Sequence, residues 1–199
     1  MLLLPLNHTD HLLGPSTASI ELVAYLNFEC QDSRQAFNAI QALMGIYRNK
    51  LRFALRHFPL MTDHSHAQIA AESTEAAGAQ DKFWPMADML FANQGDMPVR
   101  DLRQYAFRVG LDMERYDYEM STQLYFQRIR EQFETGFRSQ VRAAPTLFIN
   151  GEVLDTSFAA KQAVYTHGIN ALMANQQLQQ KGSTLVIEAL ARGTTFASY

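Results

Sequence analysis

Two strand patterns separated by one helical pattern constrain the fold of this chain more than any other feature. The first, Ile20–Leu26, is a nearly continuous apolar run, which is typical of a buried strand in a parallel sheet. The second, Leu51–His57, alternates apolar and arginine side chains with the period of two that a strand requires. Between them, apolar residues recur at helical spacing from Ala36 to Tyr47. This order predicts a βαβ unit with parallel strands and a right-handed crossover.

The next 80 or so residues carry helical patterns and no credible strand. Residues 61–140 contain a succession of apolar stripes at helical spacing, beginning with the alanine-rich stretch His66–Ala77. In the longest, Leu124–Ser139, aromatic and apolar residues repeat every three or four positions, and we interpret this stripe as core-facing. The pattern therefore predicts a helical insertion in an α/β frame, either as a cap over a site or as a packing layer.

Strand patterns return after the insertion. Pro145 introduces the apolar run Thr146–Ile149, and Asn150-Gly151 is the strongest short signal for a hairpin turn in the chain. Glu152–Leu154 then reads as the antiparallel return strand. Ser157 is a plausible N-cap for a last helix, residues 158–175, followed by a polar linker and a short apolar segment of ambiguous type.

The only cysteine of the chain lies where the first predicted strand ends and the first helix begins. Cys30 is therefore placed at a helix N-terminus, where unpaired N–H groups and the helix dipole stabilise a thiolate, which is the nucleophilic form. A lone cysteine is more often a small buried apolar side chain. The neighbours at 29 and 31–34 are all polar, however, which favours a functional thiol.

The charge and cysteine content exclude several classes of protein. The net charge of −3 and the lack of a basic run argue against a nucleic-acid-binding protein. One cysteine in 199 residues cannot form an intramolecular disulfide. No run approaches the roughly 20 apolar residues that span a bilayer, and Met1–Asn7 lacks the charge and length of a signal peptide. These observations predict a cytoplasmic protein with no membrane or nucleic-acid partner.

The histidines could suggest a metal site. His57, His64 and His66 lie close in sequence to Asp63, but the two later histidines are not at the i, i+4 spacing of a helix-face pair. We interpret them as structural or solvent-facing, give the same interpretation to His8 and His11, and predict no metal.

Six stretches, taken together, resemble the DsbA-like form of the thioredoxin fold. They are Asp10–Pro15, Asn27–Cys30, Arg34–Ala36, Phe53–Leu60, Ala76–Trp84 and Ala144–Gly151. The resemblance covers roughly residues 10–175. It implies a thioredoxin-like α/β fold with a βαβ unit, a C-terminal β-hairpin and helix, and an inserted all-helical subdomain. The implied parts are 10–60 for the βαβ half, 61–140 for the insertion and 141–175 for the ββα half, with 176–199 as a tail.

The resemblance also implies roles for individual residues. Cys30 matches the nucleophilic first cysteine of the family's Cys-x-x-Cys motif, and Pro145 matches the cis-proline whose loop faces that thiol. The backbone of Ala144 would then pair with an extended peptide or glutathione, and Gln31, beside the thiol, would contact the substrate. Ser33 lies one turn beyond Cys30, and its hydroxyl could donate a hydrogen bond to the thiolate or simply cap the helix.

Three positions depart from the family pattern, and the charge of a fourth residue bears on the thiol. Ser33 replaces the second cysteine, and a hydroxyl cannot resolve a mixed disulfide, so dithiol oxidation within one chain is excluded; a serine substituted to trap mixed disulfides would give the same motif. Ala24 stands where the family often has a buried acid, and Gln31 where it usually has proline. Asp32 opposes a thiolate by like charge, in competition with the helix dipole.

Two hypotheses follow. The chain could be a monothiol oxidoreductase that uses Cys30 and Ser33, with Ala144, Pro145 and Gln31 holding a glutathione or protein thiol substrate and with no tightly bound cofactor. Alternatively, it could be a redox-inactive module that binds a peptide or protein. In either case residues 184–199 could serve as a docking arm or as the arm of a homodimer, or could be a frayed terminus.

Overall fold

A computed structural model of the chain describes residues 1–95 and 97–154. The strands are β1 (Leu12–Leu13), β2 (Ile20–Leu26), β3 (Leu51–His57), β4 (Thr146–Ile149) and β5 (Glu152–Val153). The helices are α1 (Gln31–Ile46), α2 (Ala67–Gly78), α3 (Phe83–Ala92), α4 (Val99–Val109), α5 (Met113–Ser121) and α6 (Phe126–Arg138). The last predicted helix, the linker and the tail lie outside the described residues.

The described strands form one mixed sheet in the order β1-β3-β2-β4-β5. β2 and β3 are parallel, from the pair Ile20–Leu51 to the pair Leu26–His57, and α1 connects them. The predicted βαβ unit is therefore confirmed. β4 pairs antiparallel with the other edge of β2, so β2 is the central strand, which explains its continuous apolar run.

The two faces of the sheet have separate cores. Alternate residues of β2, such as Leu22 and Leu26, pack with α1 and with residues of α2 to α5 in the larger core. The opposite set, Val23 and Tyr25, packs with Phe58, Phe148 and the partly buried Phe133 of α6. Alternation along a strand thus gives each face its own partners. α1 and most of the helical insertion cover one face, and α6 reaches the other.

The hairpin between β4 and β5 follows the turn chemistry predicted from its sequence. Asn150 and Gly151 both have positive φ, 48° and 83°, which is the requirement of a type I′ turn. β5 is one residue shorter than predicted, since it ends at Val153 rather than Leu154. Leu154 still donates its N–H to Leu147 O, 2.8 Å away.

Part of the aromatic stripe on α6 is not in the core. Ile129 is buried and Phe133 stacks on Phe58, but Phe126 is 42% exposed and Phe137 is 52% exposed. Gly136 explains how the helix approaches the sheet, because a Cβ there would lie only 2.7 Å from the Tyr25 ring. The helix therefore packs through a narrower strip than its periodicity predicts.

The stretch before β2 contains structure that its polar sequence does not predict. β1 pairs antiparallel with β3, and the buried Arg56 of β3 anchors the residues that precede β1. Arg56 donates two hydrogen bonds of 2.8 Å to the Asp10 carboxylate and others to the carbonyls of Leu4 and Pro5. A buried guanidinium needs this many acceptors to offset its lost hydration.

Candidate active site

Cys30 lies at the junction between the central strand and α1. It is the N-cap of α1, with the extended φ and ψ of −84° and 121°, and its side chain is partly exposed. Its N–H donates to Asn27 O at 3.1 Å, and its carbonyl accepts from Arg34 N–H at 3.2 Å. A tight turn after β2 thus places the thiol at the first turn of the helix, where unpaired N–H groups face it.

The thiol meets the loop before β4. Cys30 Sγ donates to the carbonyl oxygen of Ala144 at 3.2 Å, across 114 residues of sequence, and the Ala144–Pro145 peptide bond is cis. The meeting follows from the sheet register, because Tyr25 near the end of β2 pairs with Thr146 at the start of β4.

The surroundings of the sulfur contain opposing electrostatic influences. The N-terminus of α1 favours a thiolate. Asp32 places a carboxylate in the same first turn of α1, and the contact with the Ala144 carbonyl oxygen is made by the protonated thiol, since a thiolate has no proton to donate.

Ser33 is fully buried in the first turn of α1. Its hydroxyl oxygen accepts the N–H of Asn27 at 3.2 Å, so it ties the turn that carries Cys30 to the helix. Gln31 is exposed at the first residue of the helix. Their predicted roles toward the thiolate and the substrate remain predictions.

Gln94 holds the backbone of the site, a contact that no pattern in the sequence predicts. Its side-chain amide donates to the carbonyls of Phe28 and Cys30, at 2.7 and 2.6 Å. It follows α3 and lies 64 residues from Cys30 in sequence, so no local pattern links the two. The contact joins the helical insertion directly to the loop that bears the thiol.

A buried carboxylate, which the sequence patterns likewise do not predict, joins four parts of the structure behind the site. Glu75 of α2 accepts from His57 Nε2 at 3.0 Å, from His11 Nε2 at 2.9 Å and from Arg128 Nε at 2.6 Å. His57 also packs on Phe28, two residues before Cys30, with ring centroids 5.8 Å apart. The one indication of this cluster in the sequence is that charged residues and histidines interrupt otherwise apolar stretches.

The protonation states in this cluster follow from burial and partners. Burial alone would raise the pKa of Glu75, but hydrogen bonds from His11 and His57 outweigh it and hold that pKa well below its usual range. Burial lowers the pKa of His57, against the opposing effect of Glu75. A neutral His57 with its proton on Nε2 fits these contacts, since the Glu75 carboxylate can only accept a hydrogen bond. The other ring nitrogen of His57, Nδ1, has no hydrogen-bond partner in the described part of the chain.

Three of the histidines make contacts with glutamates that hold the fold together. His66 donates its N–H to Glu29 Oε2 at 2.9 Å, and His57 and His11 bind Glu75. Within residues 1–95 and 97–154, no group of three or more His, Cys, Asp or Glu side chains is arranged to hold a metal ion.

None of the helices described there is long and apolar enough to cross a bilayer.

Comparison with known proteins agrees with this fold. A family model described as thioredoxin matches residues 6–166, and the chain therefore belongs to the thioredoxin family. The fold is similar to that of oxidised BdbD from Bacillus subtilis, with a TM-score of 0.72, 16% identity, and coverage of 83% of this chain and 91% of that chain. It is also similar to that of α-DsbA1 from Wolbachia pipientis, with a TM-score of 0.63, 22% identity, and coverage of 74% and 77%. The structural neighbours are thus DsbA-like proteins, as the sequence resemblance implied.

A similarity of a different kind links the chain to part of a membrane transporter. The Na⁺/H⁺ antiporter NhaA 1 of Salinispora arenicola is 40% identical to this chain over 142 residues, which are 71% of this chain and 22% of the antiporter. The chain thus spans less than a quarter of the length of this curated relative.

Proposed function

We propose that this chain is a DsbA-like thiol-disulfide oxidoreductase that acts as a monothiol through Cys30. The observation that carries the proposal is the placement of the thiol, at the N-cap of α1 and 3.2 Å from the carbonyl of Ala144. The helix N-terminus favours the thiolate, and the Ala144–Pro145 backbone lies where a substrate would pair beside it.

The proposed reaction consists of two exchange steps. In the first, the Cys30 thiolate attacks the glutathione sulfur of a mixed disulfide between glutathione and a protein. A bond forms between Cys30 Sγ and that sulfur, the original S–S bond breaks, and the protein sulfur leaves as a thiolate that takes a proton from water. In the second, the thiolate of reduced glutathione attacks the sulfur bound to Cys30, which releases Cys30 as a thiolate together with oxidised glutathione. No other oxidant or cofactor is needed.

Ser33 is the reason for a monothiol mechanism. It occupies the position from which a second cysteine would attack the mixed disulfide, and a hydroxyl cannot do so. The Ser33 oxygen accepts the Asn27 N–H, and in this proposal its hydroxyl hydrogen is donated toward the thiolate. Gln31, exposed one residue beyond the thiol, would contact the substrate. Because the second step consumes reduced glutathione, the proposed activity suits a reducing compartment such as the cytoplasm.

Intact mass spectrometry tests the proposal. The folded protein is incubated with oxidised glutathione and then with reduced glutathione, and Cys30→Ala is the control. We expect one glutathione adduct on the wild-type chain, reversed by reduced glutathione, and none on C30A. An adduct that forms only after denaturation would contradict the proposal, because the thiol would then be inaccessible in the fold.

The similarity to a segment of an antiporter favours a second candidate function. In that relative the matching segment is a small part of a longer chain named for Na⁺/H⁺ exchange. A thioredoxin-fold module that binds a peptide or protein, without redox activity, would suit such a setting. A thiol that is inert in the native state would support this alternative.

A further inference from the structure

A polar groove runs along α1, beginning at Arg34, one helical turn beyond the thiol. It lies between α1 and α3, has a volume of about 710 Å³, and is lined by Arg34, Gln35, Asn38, Gln41 and Asp88. That volume lies within the range of small-molecule sites.

Contacts between the two helices define the direction of the groove. Phe37 of α1 stacks on Phe91 of α3, with centroids 4.6 Å apart, and Gln41 donates to Asp88 at 3.1 Å. The helices are therefore antiparallel, and Gln41 and Asp88 meet at the far end. At the near end, Gln94 follows α3 and binds the Cys30 carbonyl. A ligand attached to the thiol would enter the groove at this end.

The groove has one cation near the thiol and one anion at the far end. Arg34 is one helical turn from Cys30, and within residues 1–95 and 97–154 its side chain has no hydrogen bond or ion pair. Asp88 binds the neutral amide of Gln41. This arrangement is complementary to a ligand that carries a carboxylate and an ammonium group.

The length of the groove matches a tripeptide linked to Cys30. At 1.5 Å per helical residue, Arg34 lies about 6 Å and Gln41 about 16 Å along α1 from Cys30. A disulfide separates two Cα atoms by about 6 Å, and an extended tripeptide spans about 10 Å. The cysteine of glutathione is its middle residue, so the disulfide places it near the level of Arg34, and the two charged ends of the tripeptide, about 10 Å apart, match the roughly 10 Å along α1 between Arg34 and Gln41.

We propose that this groove binds the peptide portion of glutathione during the exchange at Cys30. Arg34 pairs with the glycine carboxylate, and the longer γ-glutamyl arm extends along the groove, so that its ammonium group meets Asp88. The inference rests on the proposed monothiol function and adds to it the residues that select glutathione among thiol compounds.

The test compares two disulfides of different charge. The rate of adduct formation at Cys30 is measured by intact mass with oxidised glutathione and with the uncharged hydroxyethyl disulfide. The variants are Arg34→Gln and Asp88→Asn, and Arg48→Gln, which removes an exposed arginine just beyond the end of α1, is the control. The uncharged disulfide separates binding from any effect of Arg34 on the thiolate itself.

We expect R34Q to slow the reaction with oxidised glutathione about tenfold, as loss of one charge-assisted pair implies, and the reaction with hydroxyethyl disulfide less than about twofold. D88N slows only the glutathione reaction, by a smaller factor, and R48Q changes neither. If R34Q slows the reactions with both disulfides equally, or slows neither, the proposal that the groove binds glutathione is overturned, while Cys30 is still shown to be reactive. Failure of both disulfides to react with the wild-type protein would instead overturn the proposed function.

Discussion

Glu75 should be among the most sensitive positions for the stability of this protein. Its carboxylate is 2% exposed and joins the lead-in, β3, α2 and α6 through His11, His57 and Arg128. Glu75→Gln keeps the volume but removes the charge, and the amide nitrogen must then face donors. Removal of one partner from a buried ion pair costs about 3–5 kcal/mol. We expect about 3 kcal/mol, because Arg128 and His11 are partly exposed and can be rehydrated.

Urea unfolding at pH 7 measures this loss of free energy. For a domain of this size a change of about 3 kcal/mol moves the midpoint by about 1.5 M. Glu134→Gln is the matched control, since its pair with Arg130 on α6 is more than half exposed on both sides and should contribute less than about 0.5 kcal/mol. Equal midpoints for the two variants would refute the assignment of a stabilising role to the cluster.

The pH dependence provides an independent check on the same cluster. The pKa of Glu75 is held below its ordinary 4.5, so its contribution is present above that value and is lost as the pH falls through the folded-state pKa. The difference between wild type and E75Q should therefore narrow below about pH 4. A difference that stayed constant down to the most acidic pH at which the protein folds would show that the carboxylate charge is not the cause.

Two further predictions concern the other buried charged and titratable groups. Arg56→Lys should destabilise the chain by about 2 kcal/mol or more, because an ammonium cannot reproduce the two-point contact with Asp10. Arg103→Lys is the control, because it breaks the same two-point geometry at the exposed pair with Asp117, where water replaces the lost contact. It should lower the free energy of unfolding far less, and equal losses for the two variants in chemical unfolding would contradict the prediction. Burial lowers the pKa of His57 from 6.5, so below that pH the unfolded chain binds a proton that the folded chain does not. The free energy of unfolding should therefore decrease as the pH is lowered below 6.5, by up to about 1.4 kcal/mol per pH unit. His57→Gln should flatten this part of a stability–pH curve, and an unchanged slope would show that His57 is not its source.

The outline of the fold could be predicted because it rests on local patterns. β2 and β3 have the bounds that their sequences predict, and the turn at Asn150-Gly151 forms where the dipeptide favours positive φ. The position of Cys30 at a helix N-terminus follows from the same patterns, since a strand and a helix each show their period within a few residues. The assignment of Pro145 to the facing loop came from the family resemblance.

Contacts between distant segments could not be read in the same way. Gln94 reaches the Cys30 carbonyl across 64 residues, and Arg128 reaches Glu75 across 53. β1 forms because β3 offers it an edge, and Phe137 stays exposed although its spacing matches that of buried Ile129.

The sequence by itself determined the strands β2 to β5, the helices of the βαβ unit and the insertion, and the place of the thiol, because the energies that select them act between neighbours in the chain. The tertiary structure alone decided which polar groups are buried together, as at Glu75, and which line a groove beside the thiol, as at Arg34. The physical reason is that the cost of burying a charge depends on which acceptors and donors packing brings to it.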